Sequence, residues 1–180
     1  MSSDFSEKPR SSKTVYAGKL LTVKEDVVEL PDGGNATREY IQHPGAVVII
    51  PLIDEGTLLL EHQYRYPVRS HFLELPAGKI ETGEPAEETA RRELLEETGY
   101  VARDWRFLTT LHPCVGYSDE RIELFLARGL TFEGHPGEDD EFIETVTMSI
   151  DAAVQKVVAH EITELKTMLG VFWADRLRRG

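Results

Sequence analysis

Apolar stretches alternate with polar breaks along most of the chain, and their lengths predict strands and helices. Ala46 to Ile53 is nearly all apolar and rich in β-branched residues, which predicts a strand buried on both faces. Glu84 to Thr98 carries apolar residues four positions apart, which predicts an amphipathic helix that ends at Gly99. Strands mixed with helices in this order predict an α/β fold with helices packed on a mixed sheet. The remaining predicted strands are 57–64, 71–75, 107–111, 121–127 and 142–146, and the remaining predicted helices are 151–159, with Asp151 as N-cap, and 163–177.

The N-terminal part of the chain has a different pattern. Residues 1–13 are almost all polar or charged, which predicts a disordered leader. Residues 20–30 and 37–42 read as two strands joined by the turn-forming segment 31–35, which predicts a β-hairpin. We therefore expect a β extension over 14–43 and a main domain over 44–180. An isolated hairpin is marginally stable, so this extension favours self-association.

Composition and charge exclude several classes of protein. The chain has 180 residues, and 20 Lys and Arg stand against 32 Asp and Glu, so the net charge is −12. A direct nucleic-acid partner is not expected, because a phosphate-binding surface needs clustered cations. Membrane insertion is not expected either, because the longest apolar run, 46–50, is too short to span a bilayer. Cys114 is the only cysteine and no apolar leader is present, so we expect a cytoplasmic protein.

The predicted helix at 84–98 carries an unusual concentration of carboxylates. Glu93, Glu96 and Glu97 are spaced so that a helix places all three on one face. Like charges at this spacing repel each other and destabilise a helix. Two interpretations stay open at this point. One is a solvated acidic surface, and the other is a site for a hard divalent cation, which prefers carboxylate oxygens.

The spacing of the residues around this helix is specific. Gly78 is followed by five residues, then Glu84, then seven residues, and then the segment 92–99, RELLEETG. This arrangement resembles the Nudix box, GX5EX7REUXEEXGU, with Tyr100 where the pattern has an aliphatic residue. The resemblance implies a Nudix-type α/β/α sandwich with an N-terminal β-hairpin extension. It also implies hydrolysis of a nucleoside diphosphate linked to a further group X.

The resemblance assigns the metal site to four residues. Glu93 and Glu97 match the principal ligands, Glu96 matches a further ligand or a residue that holds the attacking water, and the carbonyl of Ala77 matches a backbone ligand. The expected cofactor is Mg²⁺, with Mn²⁺ as a substitute and two or more ions in each site. Such ions would neutralise the diphosphate and orient a water molecule.

Other residues of the box have structural roles in this interpretation. Gly78 and Gly99 match its fixed glycines. Glu84 and Arg92 are expected to form a structural ion pair, with a metal-binding role for Glu84 as the alternative.

A general base must help to deprotonate the attacking water. In relatives that act on ADP-ribose, a glutamate on a late loop has this role, and Glu141 matches that position. The alternative is that Glu141 is one member of a solvated acidic loop, 138–141. The catalytic residues are therefore expected to be Glu96, Glu97 and Glu141, and which acid is the base stays open.

The segments that flank the box resemble the ADP-ribose pyrophosphatase branch of the superfamily. They are 61–65 (EHQYR), 74–78 (ELPAG) and 116–120 (GYSDE). The resemblance implies that Arg65 contacts the substrate diphosphate and that Arg38 lies near the adenosine. Glu120 is a candidate polar contact. The alternatives are surface ion pairs for the two arginines and a strand-edge charge for Glu120.

The expected reaction is metal-dependent hydrolysis of ADP-ribose to AMP and ribose 5-phosphate, within nucleotide metabolism. Two alternatives stay open: a pyrophosphatase of another nucleoside diphosphate sugar such as GDP-mannose, and a Nudix module that binds ADP-ribose without cleaving it. The resemblance also implies a homodimer with swapped N-terminal strands. The base, the sugar, the metals and the physiological role are not determined by the sequence.

Overall fold

The computed structural model describes residues 4–134 and 142–180, which form two compact units. One unit runs up to Pro44 and includes the loop Cys114–Arg121. The other comprises Gly45–Pro113 and Ile122–Gly180. The boundary of the first unit lies at Pro44, and the loop Cys114–Arg121 belongs to this unit although it interrupts the second one in the sequence.

The first unit is a three-stranded antiparallel sheet. Its strands are β1 (Lys8–Ala17), β2 (Thr22–Glu29) and β3 (Asn35–Gln42), paired in the order β1-β2-β3. The turn between β2 and β3 has Gly33 at a φ of +87°, and the Asp32 carboxylate accepts a hydrogen bond from the Gly34 amide at 2.9 Å. This turn chemistry produces the hairpin that the sequence predicts.

The structure differs from the predicted leader at β1, because this strand begins at Lys8. All ten of its residues are exposed, so the sequence of the strand has no apolar alternation that could have revealed it. Its regularity comes from pairing with β2, and ion pairs such as Lys13 with Glu25 at 2.6 Å join the two strands. The partner strand therefore determines the conformation of this segment.

The second unit contains a mixed sheet. The strands are β4 (Ala46–Asp54), β5 (Thr57–Arg65), β6 (Ser70–Glu74), β7 (Ala77–Lys79), β8 (Tyr100–Leu111), β9 (Ile122–Phe132) and β10 (Ile143–Ser149). Their order is β10-β5-β4-β9-β8, with β6 paired to β5 and β7 paired to β4. The central strand β4 pairs in parallel with β9 and in antiparallel fashion with β5 and β7, so both kinds of pairing meet there.

Helices cover both faces of this sheet. Alternate residues of β4 point to opposite faces: Val47 and Ile49 pack with helix α1 (Ala86–Thr98), whereas Val48 and Ile50 pack with α2 (Ile150–Val158) and α3 (Leu165–Arg178). This explains why the sequence of β4 is apolar throughout. The predicted α/β/α sandwich with a mixed sheet is confirmed.

The ends of the helices differ from the prediction by a few residues. The N-cap of α2 is Ser149, whose hydroxyl accepts a hydrogen bond from the Ala152 amide at 3.2 Å, and Asp151 lies inside the first turn. Helix α1 begins at Ala86, directly after Pro85. Within 4–134 and 142–180, no helix has the length and apolar character needed to cross a membrane.

Candidate active site

The last two turns of α1 carry the carboxylates of the predicted site. Ala90 and Leu94 are completely buried against the sheet, which leaves Glu93 and Glu96 partly exposed along the side of the helix. Gly99 ends the helix with a φ of +74°, and its amide donates to the Leu95 carbonyl at 2.8 Å. The spacing of apolar residues thus orients the acidic residues, because burial of one stripe determines where the others lie.

The glycines of the box are required by close approach. A Cβ atom added to Gly78, on β7, would clash with the carboxyl group of Glu93. The Glu93 carboxylate therefore occupies the space in which any other residue at 78 would place its side chain. At Gly99, an added Cβ would lie 2.7 Å from Phe132 and 3.0 Å from the backbone of Gly134, in addition to the positive φ.

Glu97 joins the helix to β7. Its side chain is only 9% exposed, and its Oε2 accepts a hydrogen bond from the Ala77 amide at 2.9 Å. The structure thus brings together Ala77, Gly78, Glu93 and Glu97, four residues that the sequence nominated. This hydrogen bond holds Glu97 Oε2 beside Ala77, the first residue of β7.

Arg92 links three acidic residues of the box. Its Nε and Nη2 atoms donate to Glu84 at 3.1 Å each, and its Nη1 donates to Glu93 at 2.9 Å and to Glu96 at 2.8 Å. These hydrogen bonds, above all the one to Glu84, raise the pKa of the Arg92 guanidinium above its usual range. One cation therefore offsets part of the repulsion among the carboxylates of the helix.

Glu84 is held by several donors at once. Besides Arg92, the Thr89 hydroxyl donates to Oε2 at 2.8 Å and the Glu81 amide donates at 3.3 Å. Hydrogen bonding to Arg92 is the main cause that lowers the pKa of Glu84 to about 2. Glu84 thus connects the loop before α1 to the helix, in an arrangement suited to an ion pair.

Arg65, at the end of β5, forms a two-bond contact with a buried acid. Its Nε donates to Glu74 Oε1 at 2.8 Å and its Nη2 donates to Glu74 Oε2 at 2.9 Å. The bond to Glu74 is the main cause that raises the pKa of Arg65, and the carboxylate of Glu97 contributes to the same rise. Arg65 is 42% exposed, whereas Glu74 is 2% exposed.

Sequence reasoning missed Glu74 and Lys166, which belong to this cluster. Lys166, in the first turn of α3, lies 2.5 Å from Glu74 Oε2. For Glu74 the sequence did contain a signal, since this charged residue lies between Leu73 and Leu75 in a predicted strand. A carboxylate that is buried in this way must be paired with a cation, so a partner could have been expected. The lysine gave no comparable signal, since its partner is 92 positions away.

Arg38 and Glu120 lie in the first unit. Arg38 forms an ion pair with Glu7 through both Nε and Nη2. The loop that carries Glu120 is attached to β3, because the amide of Ile41 donates to the Tyr117 carbonyl at 2.8 Å and the amide of Asp119 donates to the Ile41 carbonyl at 3.2 Å.

The loop and β3 enclose a shallow cavity of about 230 Å³, lined by Arg38–Tyr40 and Val115–Asp119. Glu120 adjoins this loop, with one carboxylate oxygen 3.9 Å from Nδ1 of His43. The remaining nominated residue, Glu141, lies outside the described residues.

Comparison with known proteins agrees with this geometry. The NUDIX domain model matches residues 42–167, and the model of the nucleoside diphosphate sugar hydrolase N-terminal domain matches residues 7–41. The chain belongs to the Nudix family. The second match coincides with the three strands of the first unit.

Two curated relatives and one solved structure show how far the similarity extends. A methanol dehydrogenase activator of Bacillus methanolicus is 36% identical over 93% of this chain and 91% of its own length. An ADP-ribose pyrophosphatase of Bacillus subtilis (strain 168) is 36% identical over 92% of this chain and 90% of its own. The crystal structure of an ADP compounds hydrolase, at 27% identity, superposes with a TM-score of 0.86 and covers 99% of this chain and 98% of that one.

Nudix hydrolases generally need divalent metal cations. The carboxylate oxygens of Glu93, Glu96 and Glu97 are the hard donors that such cations prefer, and Glu97 already points one oxygen toward the end of β7. Among residues 4–134 and 142–180, no three acidic, histidine or cysteine side chains are gathered in a metal-binding arrangement. Arg92 contacts Glu93 and Glu96, so a cation would compete with this guanidinium for their oxygens.

The contacts of Glu84 predict a contribution to the stability of the fold that is lost at low pH. Because the pKa of Glu84 falls from 4.5 to about 2 on folding, its ionised form stabilises the folded state above pH 4.5, and this contribution is lost as the pH falls through 2. Glu84→Gln should therefore lower the free energy of unfolding by about 1–2 kcal/mol at pH 7. The difference between the two proteins should shrink below pH 4.5 and vanish near pH 2, as measured by urea denaturation across this range.

The matched control is Glu87→Gln, which removes the same charge from the same helix. Glu87 is half exposed and pairs with Arg91 on the surface at 2.7 Å, so its substitution should change stability by less than about 0.5 kcal/mol. If the difference in free energy of unfolding between the wild type and Glu84→Gln stays constant from pH 7 to pH 2, the lowered pKa is wrongly assigned to Glu84.

Proposed function

We propose that this protein hydrolyses the pyrophosphate bond of ADP-ribose to give AMP and ribose 5-phosphate. The observation that carries the proposal is an arrangement within the second unit. A helix with three carboxylates contacts β7 through two of them, Glu93 and Glu97, and Arg65 is fixed by the buried Glu74. The first group suits divalent cations and the second suits a diphosphate. The similarity to an ADP-ribose pyrophosphatase over 92% of the chain, N-terminal strands included, supports this substrate.

Each residue of the proposed site has a distinct role. Glu93, Glu97 and the Ala77 carbonyl hold Mg²⁺, with Mn²⁺ as a substitute, and Glu96 holds a further ion or the attacking water. Two or more such ions would supply charge neutralisation at the diphosphate and a more acidic water molecule. Arg65 binds diphosphate oxygens. Glu141 is proposed to accept the proton of the attacking water as general base.

Recognition of the nucleoside is proposed for the first unit. The shallow cavity beside Arg38 is lined in part by Tyr40 and Tyr117, and aromatic residues of this kind can stack on a purine. Arg38 is proposed to lie near the adenosine, and Glu120 to supply a polar contact. The substrate in this proposal is a small nucleotide, with no nucleic acid or membrane partner, and the reaction takes place in the cytoplasm.

A pyrophosphatase of other nucleoside diphosphate sugars is the second candidate. It is favoured by one observation, the match of residues 7–41 to the N-terminal domain of nucleoside diphosphate sugar hydrolases. The diphosphate and metal chemistry would be the same in both cases, and only the groups at the two ends of the substrate would differ.

The first prediction tests the substrate directly. Product release is measured with ADP-ribose, ADP-glucose, GDP-mannose, NADH and ATP, each with Mg²⁺. We expect ADP-ribose to have the highest kcat/KM, because the chain resembles an ADP-ribose pyrophosphatase over both units. A tenfold preference for GDP-mannose or ATP would refute this substrate, and binding of ADP-ribose without cleavage would refute the enzyme.

The second prediction concerns Glu97. Glu97→Gln keeps a carbonyl oxygen for the Ala77 amide but removes a charge from the carboxylate cluster. The thermal midpoint in EDTA should not fall, since repulsion with Glu93 one turn earlier is relieved. The kcat at saturating Mg²⁺ should fall by about 10²–10⁴, which corresponds to ~3–5 kcal/mol.

The matched control is Glu88→Gln, an exposed acid on the same helix, which should leave kcat within twofold. Retention of more than about a tenth of the wild-type kcat by Glu97→Gln would limit the contribution of this charge to ~1.4 kcal/mol and place the metal site elsewhere.

We also propose that the protein is a homodimer in which N-terminal strands are exchanged. Apolar side chains of the first unit are exposed, with Tyr16 at 57% and Leu20 at 62%, and a second surface that covers them would stabilise the sheet by removing apolar area from water. A second copy of the chain supplies that surface. In this proposal the exchanged strands complete the substrate site of the partner.

The third prediction tests the dimer. A protein that lacks residues 1–43 should be monomeric and should lose most of its activity, as measured by light scattering and ADP-ribose hydrolysis. The control lacks residues 1–6 only, which leaves Glu7 and β1 in place, and it should remain dimeric and active. A fully active monomer of residues 44–180 would refute the exchanged dimer.

A further inference from the structure

The start of α3 is held against the end of β6. The Glu164 side chain accepts from the amides of Lys166 at 3.2 Å and Thr167 at 2.9 Å, and it thereby caps the helix. The buried Thr167 hydroxyl accepts from the Leu75 amide at 2.9 Å. A Cβ atom added to Gly170 would clash with the side chain of Leu75. These contacts hold the first turns of α3 against the end of β6.

This position places Lys166 beside Glu74. The ammonium nitrogen lies 2.5 Å from Glu74 Oε2 and 3.3 Å from Glu164 Oε2, and the lysine side chain is 14% exposed. Glu74 therefore has two cationic partners, Lys166 and Arg65, and both donate to its Oε2 atom. With these donors, both oxygens of the buried carboxylate are hydrogen-bonded. If one cation is removed, the electrostatic attraction of the carboxylate acts on the remaining cation alone.

The geometry of Arg65 determines which of its edges is available. Glu74 uses the edge formed by Nε and Nη2. The other edge, formed by Nη1 and the second hydrogen of Nη2, lies on the opposite side of the planar guanidinium, away from Glu74. This edge has the spacing that binds two oxygens of a phosphate group. The orientation of the free edge is therefore determined by Glu74.

We propose that Lys166 is a positioning residue for the diphosphate. It acts indirectly: Lys166 pairs with Glu74, and Glu74 orients the Arg65 guanidinium that binds the diphosphate. With Lys166 present, the two acids Glu74 and Glu164 are balanced by the two cations Arg65 and Lys166. Without Lys166, the cluster of Arg65, Glu74 and Glu164 carries a net charge of −1, which weakens the positive potential at the outer edge of Arg65. The inference rests on the proposed function, in that Arg65 is taken to bind the diphosphate.

The effect should be on substrate binding. Lys166→Met keeps most of the apolar stem and removes the charge. We expect it to raise KM about 5–10-fold while kcat changes less than twofold, and to weaken binding of ADP-ribose in EDTA, measured by calorimetry, by a similar factor. Lys166→Arg, which restores a cation, should return KM to within twofold of the wild type. If Lys166→Met does not fold, Lys166→Gln takes its place.

A double-mutant cycle separates positioning from a structural role. In an Arg65→Ala background, Lys166→Met should change the dissociation constant less than twofold, because the residue through which it acts is gone. The control is Lys156→Met, which removes the same charge from an exposed pair with Glu161 and should leave KM unchanged. An equal effect of Lys166→Met with and without Arg65, or no effect at all, overturns the inference.

The same measurements distinguish this inference from the proposed function. If Arg65→Ala weakens binding and Lys166→Met does not, only the role of Lys166 is refuted. If Arg65→Ala leaves binding unchanged, the assignment of Arg65 to the diphosphate is refuted. If another compound of the substrate panel is hydrolysed best, the cycle is run with that compound, because the diphosphate is common to ADP-ribose and the nucleoside diphosphate sugars.

Discussion

The contact between α1 and the short strand β7 is the constraint on which the site depends. The Glu93 carboxyl group fills the space beside Gly78, and Glu97 accepts a hydrogen bond from the Ala77 amide. These two contacts place the acidic face of the helix against the end of a strand that pairs with β4, at the centre of the sheet. These contacts determine where the carboxylates of Glu93 and Glu97 lie relative to the sheet.

Charge is distributed unevenly around this contact. On α1 and the loop before it, three carboxylates, those of Glu84, Glu93 and Glu96, share one guanidinium, that of Arg92. At the end of β6, two acids, Glu74 and Glu164, share the two cations Arg65 and Lys166. The first group retains an excess of negative charge that favours cations, and the second places a balanced cluster beside it. In the proposed function, this arrangement would place metal ions on one side of the diphosphate and Arg65 on the other.

Much of the second unit could be predicted from the sequence, because its signals are local. The apolar run of β4, the stripe of α1 and the glycines of the box each depend on residues close in the chain. The strand β1 could not be predicted, since every residue in it is exposed and its conformation comes from pairing with β2. The partners of Arg65 also escaped prediction, because Lys166 reaches Glu74 only after the sheet and α3 have packed together.

The outermost position of β1 has a consequence for how copies of the chain can associate. A strand at the edge of a sheet offers backbone groups to any extended chain that approaches it, and this can lead to open-ended assembly. Here the edge carries Pro9, which has no amide hydrogen, and the cations Lys8, Arg10 and Lys13. Its pairing with β2 is also interrupted by register shifts at 9–11 and 14–16. These features make the edge a poor template for further strands, so association through it does not continue from one copy of the chain to the next.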